Sequence, residues 1–110
     1  MTFGQAIAQA RKSKQLSQKQ LASMILKDDG NPISPQYLND IERDRRNPPR
    51  ENLIDQFARI LDIPEEYFYF LAREIPPKYF QVAPNNPEQV QEAFEAFART
   101  YRRGKGGKKE

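Results

Sequence analysis

Between Gln36 and Arg46 the chain sets two amides (Gln36, Asn39), a phenol (Tyr37), three carboxylates (Asp40, Glu42, Asp44) and three guanidinium groups (Arg43, Arg45, Arg46). Such groups grip a partner through hydrogen bonds and charge. Nothing beside them makes a catalyst. The chain has no Cys and no His, which removes disulfide frameworks, Cys/His zinc sites, thiol nucleophiles and imidazole bases. Neither a Gly-rich phosphate loop nor carboxylates paired between strands occur, so a binding protein without enzymatic activity, cofactor or metal is expected.

The elements that must position these groups are helical, since no run alternates β-branched and polar residues and the only valines are Val82 and Val90. Thr2-Phe3-Gly4-Gln5 and Ser17-Gln18-Lys19-Gln20 both have the form of a capping box. The first precedes an apolar face of Phe3, Ile7 and Ala10, ending near Lys14; the second precedes Leu21, Met24 and Ile25. Breakers fill Asp28 to Pro32, and Ser34-Pro35 then opens a third helix with a favoured cap and proline at its first position. Its apolar face, Leu38 and Ile41, is thin, so Gln36, Tyr37, Asn39, Asp40 and Arg43 point outward. Leu53, Phe57, Ile60 and Leu61 mark helix four, and Pro64-Glu65-Glu66 opens helix five with acids near the positive end of its dipole. Its expected buried side is Tyr67, Phe68 and Leu71, with the whole run Tyr67 to Phe70 assigned to the core. Residues 75–86 read as an extended, proline-containing connector, 87–103 as a last amphipathic helix and 104–110 as a disordered basic tail.

At 110 residues and 37% apolar content, the chain suits one compact domain, 1–74, with an accessory segment. A mean hydropathy of −0.91 and no apolar run near the roughly 20 residues of a span exclude a membrane protein. The amino terminus lacks the pattern of a secretory signal, so a cytoplasmic location is expected. The net charge of +3 is less informative than its distribution. Residues 1–27 carry five bases and no acid, 51–74 carry six acids against Arg59 and Arg73, and the last eight residues alone sum to +3. Any argument for an acidic partner must rest on location.

Two short helices joined by a turn, the second with a polar outer face, form a helix-turn-helix candidate. LSQKQLA at 16–22, ISPQYLNDIERDRRNPP at 33–49 and ARILDI at 58–63 together resemble the lambda-repressor/Cro-like family of helix-turn-helix transcription regulators, over roughly residues 3–72. The resemblance implies an all-α fold of five helices, here with an additional C-terminal helix, and double-stranded DNA as partner. It implies that Gln18, with Ser17 beside it, meets backbone phosphate at the start of helix two. Helix three becomes the recognition helix: Ser34 caps it and approaches phosphate, while Gln36, Tyr37, Asn39 and Asp40 face the groove. Gln and Asn can pair bidentately with adenine, and Asp can accept from cytosine N4. Arg43, Arg45 and Arg46 fall where the family approaches the sugar-phosphate strand, which guanidinium groups suit; a polar loop explains the last two nearly as well. Arg50, just beyond, falls where a phosphate or minor-groove contact is implied, Lys12 and Lys14 read as a solvated face, and Tyr37 has packing on the connector as its alternative. Arg11 and Glu42 are implied to form a structural ion pair. Two departures stand out. About six extra residues lie in Lys27 to Ile33, a loop that bends the recognition helix, touches DNA or bulges into solvent. Asp44 stands where the family commonly has glycine, a position often needing positive φ.

Nine of the twelve aromatics fall between Tyr67 and Tyr101. In the last helix Val90, Phe94, Phe97 and Tyr101 recur at spacings of four, three and four. That stripe must pack on its own domain or on a second copy, and the reading of operators by symmetric dimers favours the copy. The expected function is a sequence-specific transcriptional regulator, most simply a dimeric repressor. The alternative is an antitoxin or adaptor whose aromatic C-terminal third binds a protein partner, with DNA binding auxiliary.

Overall fold

The computed structural model describes residues 1–81 and 86–109, with side chains described outside 82–85 and up to Arg102. The chain divides into two units, Met1–Pro76 and Pro77–Glu110. The first holds α1 (Phe3–Ser13), α2 (Gln18–Met24), α3 (Pro35–Glu42), α4 (Glu51–Leu61) and α5 (Glu65–Leu71); the second holds a 3₁₀ turn, Pro77–Gln81, and α6 (Pro87–Lys109). Among the described residues there is no strand, so the fold is all-α.

Local chemistry starts each helix that positions the polar groups. Thr2 Oγ1 accepts from the Gln5 backbone while Gln5 Oε1 accepts from the Thr2 backbone, and Ser17 and Gln20 do the same at α2. Ser34 Oγ accepts from the Tyr37 backbone, with Pro35 next in line. Helix ends are closed less cheaply. Gln15, Asp44, Asp62 and Arg73 all take a left-handed backbone, with φ between 58° and 65°, a region that disfavours residues with a Cβ. After α1, α3 and α5 the backbone bonds run from the two residues beyond the cap to the last turn, as from Arg45 to Asp40 and from Asp44 to Ile41.

The core gathers Phe3, Ile7, Leu21, Ile25, Leu38, Ile41, Ile54, Phe57, Leu61, Phe68 and Tyr69, each at most 4% exposed. Gly4 lets α1 and α3 approach. A Cβ there would collide with the Ile41 carbonyl oxygen and come within 2.7 Å of the Glu42 carbonyl oxygen.

Three sequence expectations change. The run Tyr67 to Phe70 is only half core: Phe68 and Tyr69 are buried, Leu71 is half-buried, and Tyr67 and Phe70 are 42% and 54% exposed. Four consecutive helical residues sweep most of a turn, so they cannot all face inward. The connector is not extended throughout, because Pro77–Gln81 coils into the 3₁₀ turn, while 82–85 lie outside the described residues.

The loop at Lys27 to Ile33, for which the sequence leaves three alternatives open, is a small hairpin. Leu26 pairs with Pro32, the Lys27 backbone donates to Asn31 O, and Ile33 donates to Ile25 O. Gly30 turns the tip at φ 87°, and the Asn31 backbone N–H holds the Asp29 carboxyl below its usual range. Buried Ile25 and Ile33 anchor its base. Gln56 of α4 both accepts from the Leu26 N–H and donates to the Leu26 carbonyl, and Asn52 donates to Asp28. The hairpin therefore docks on α4, and is no free bulge. In the second unit α6 runs past the expected boundary at 103 to Lys109; the side chains of 103–109, and Glu110 altogether, lie outside the described residues.

Candidate nucleic-acid interface

The arrangement starts from a buried brace. Arg11 Nε and Nη2 donate to the two oxygens of Glu42 at 2.7 and 3.0 Å, and Arg11 Nη1 donates to Leu16 O at 2.8 Å. Both side chains are nearly sealed, at 10% and 5% exposure. Each desolvated charge is thus met by a fork of hydrogen bonds, the geometry a buried pair requires. This brace fixes the C-terminal turn of α3 against α1. Asp44 adds a second tie, accepting from the Gly4 N–H at 3.0 Å and from the Thr2 hydroxyl at 2.6 Å.

In front of the brace the polar groups form two networks. In the first, Gln18 Nε2 donates to Glu42 Oε1 at 2.9 Å and to Asn39 Oδ1 at 3.1 Å, and Arg43 Nε reaches the same Asn39 oxygen at 3.3 Å. In the second, Asp40 is the hub. Its Oδ1 accepts from Gln36 Nε2 at 3.0 Å and lies 3.5 Å from Arg45 Nη1, while its Oδ2 lies 3.8 Å from Arg46 Nε. The Arg46 guanidinium also sits over the Tyr37 ring, 4.7 Å from its centroid.

The residues expected to act together are therefore linked within one surface: Gln18, Asn39 and Arg43 in one set, Gln36, Tyr37, Asp40, Arg45 and Arg46 in the other. Ser17 and Ser34 sit at helix starts, where their hydroxyls cap. Several details were not legible in sequence. Gln18 turns its amide toward Glu42 and Asn39, and Tyr37 packs against the core and under Arg46. The partnership of Thr2 with Asp44 spans 42 positions and leaves no local signal. The acids Asp40 and Asp44 are both engaged, so their charge is partly met within the protein.

On α6, in the other unit, Val90, Phe94, Phe97 and Tyr101 are 37%, 55%, 58% and 57% exposed. Among the described residues no group of acids could hold a metal ion, and no helix is long and apolar enough to cross a membrane. A family model described as helix-turn-helix matches residues 7–68. No curated protein and no solved structure matches the chain.

Proposed function

Because the chain belongs to the lambda-repressor/Cro-like helix-turn-helix family of DNA-binding transcription regulators, we propose that it is a cytoplasmic repressor reading an operator as a homodimer. One observation carries the assignment of the reading surface to α3. Leu38 and Ile41 are sealed in the core while Gln36 on the same helix and Arg43 at its C-cap stand exposed, so the helix and its end offer a polar face of amides and a guanidinium group.

In this reading Gln36 and Asn39 present amides to base edges, and Arg43, Arg45 and Arg46 meet phosphate, with Ser17, Gln18 and Ser34 near the strand. Asp40 restrains two of the arginines until DNA arrives. Exposed ion pairs contribute only about 0–1 kcal/mol, so phosphate oxygens can displace the carboxylate cheaply. Once released, Asp40 is free to accept from cytosine N4.

Selection of bound duplexes from a random pool tests the proposal, and a consensus of two half-sites about one duplex turn apart is expected. Gln36→Ala and Asn39→Ala should each relax sequence choice, by about 1–3 kcal/mol of lost discrimination per contact, while non-specific binding persists. Gel-shift titrations in which both variants keep full discrimination would remove α3 from the reading role. A second reading, an antitoxin or adaptor, has its own support in the exposed Tyr79 and Phe80, at 42% and 64%. It predicts a stable complex with a protein from the source cell.

A further inference from the structure

Groups that can only donate and groups that can only accept fix which way two amides point on the reading surface. The Glu42 carboxylate, held by Arg11, only accepts, and its Oε1 lies 2.9 Å from Gln18 Nε2. Turning the Gln18 amide over would set oxygen against oxygen, so the nitrogen faces Glu42. The second hydrogen of that nitrogen goes to Asn39 Oδ1 at 3.1 Å. From the other side Arg43 Nε, which only donates, reaches the same Asn39 oxygen at 3.3 Å. Both lone pairs of Asn39 Oδ1 are therefore engaged, and the order of donors and acceptors from Arg11 through Glu42, Gln18 and Asn39 to Arg43 admits one orientation for each amide. Asn39 Nδ2 keeps both of its hydrogens, with no partner among the described residues. Gln18 Nε2 keeps none for phosphate.

We propose that Asn39 reads guanine in the major groove, as a donor through Nδ2 alone, and that Gln18 is the positioning residue that sets this choice by holding the Asn39 oxygen away from the base. The proposal rests on α3 being the reading helix and names the base for one of its contacts. Bidentate pairing of an asparagine with adenine needs the amide oxygen to accept from adenine N6 while the nitrogen donates to N7. Here that oxygen is already engaged. A group with two hydrogens to give and nothing to accept with is matched by guanine, whose O6 and N7 are adjacent acceptors. Adenine would turn its N6 donor toward the same nitrogen and leave donors facing each other without acceptors, the costly case. Thymine offers O4 beside a methyl group, one acceptor in place of two. The cytosine paired with guanine presents N4, the donor assigned above to Asp40, so neighbouring residues of α3 favour the same kind of base pair. Arg43 can hold Asn39 through Nε and still turn Nη1 and Nη2 to phosphate, because its fork carries five donors.

Selections from random duplexes with the full-length parent and with Asn39→Ala locate the base pair that Asn39 contacts, as the position whose preference the substitution relaxes. That pair is expected to be G·C, preferred over A·T by roughly tenfold in the parent. Replacing its guanine with 7-deazaguanine, which lacks the N7 acceptor, should weaken the parent about fivefold, the equivalent of one hydrogen bond, and leave Asn39→Ala unaffected. Gln18→Met removes the donor while keeping an unbranched side chain, and should shift that pair toward A·T as Asn39 regains an acceptor. An A·T preference of the parent at that pair overturns the proposal. So does 7-deazaguanine that weakens both proteins alike or neither, and so does a Gln18→Met protein that keeps the full G·C preference; each of these leaves α3 as the reading helix. The 7-deazaguanine comparison decides the base even where Gln18→Met fails to fold. If Asn39→Ala relaxes no position, Asn39 touches no base and the proposal falls; if Gln36→Ala also relaxes none, the reading role of α3 falls with it.

Discussion

Asp44 serves two roles. Its backbone closes α3 at φ 58°, and its carboxylate ties the start of α1 through the Gly4 N–H and the Thr2 hydroxyl. Gln15 closes α1 at φ 60° with an exposed side chain. The two positions therefore separate the cost of a left-handed backbone from the value of the side chain. Gln15→Gly should raise stability by about 1 kcal/mol, the penalty of a Cβ in that region. Asp44→Gly removes the same penalty but also two hydrogen bonds to a charged acceptor, each contributing roughly 1.5–3 kcal/mol, and should lower stability. Urea unfolding midpoints of the two variants check this, and opposite signs are expected. The glycine usual in the family is thus replaced here by a residue that accepts strain and returns an anchor.

Among the elements, the hairpin at Leu26 to Pro32 shows where sequence reasoning reached and where it stopped. The capping boxes, Pro35, and the thin apolar face of Leu38 and Ile41 are local signals, so α1 to α3 are legible from neighbouring residues alone. The ion pair of Arg11 with Glu42 came through the family resemblance. The hairpin's place on α4 depends on Gln56 and Asn52, 30 and 24 positions away, and no local pattern announces such a bond. The same reason hides the Gly4 approach and the choice of Tyr69 over Tyr67 for the core. Tyr69 offers a test of that choice. Burial pushes its phenol well above the usual range, and donation to Asp55 at 2.8 Å adds to the shift. The folded state thus keeps the proton that an unfolded phenol releases near pH 10. The resulting stability is complete below that pH and drains away as pH rises above it. Parent and Tyr69→Phe unfolding should differ by about 1 kcal/mol at pH 8, from the lost hydrogen bond, and the difference should shrink by pH 11. A constant difference across that window would mean the phenol ionises alike in both states.

Across the whole molecule, net charge is a poor guide to DNA affinity because the acids of residues 51–74 offset bases that lie elsewhere. What counts is how many cations reach phosphate, and the salt dependence of binding measures that number directly. If the proposed dimer places Arg43, Arg45 and Arg46 of each chain on phosphate, six contacts result, and the expected slope of log K against log salt is roughly −5. In the proposed reading Asp40 opposes binding, since Arg45 and Arg46, which lie 3.5 and 3.8 Å from it, leave it first. Asp40→Asn removes that competition and one negative charge on the approaching face. Non-specific affinity at low salt should therefore rise up to about fivefold for each chain, the equivalent of about 1 kcal/mol for an exposed pair. Arg46→Ala should act in the opposite direction, weakening all sequences alike and reducing the slope by about 2, one phosphate contact from each chain of the dimer. The pair of variants separates restraint from contact: if Asp40→Asn weakens non-specific binding, the carboxylate holds the arginines in their binding pose rather than away from the strand.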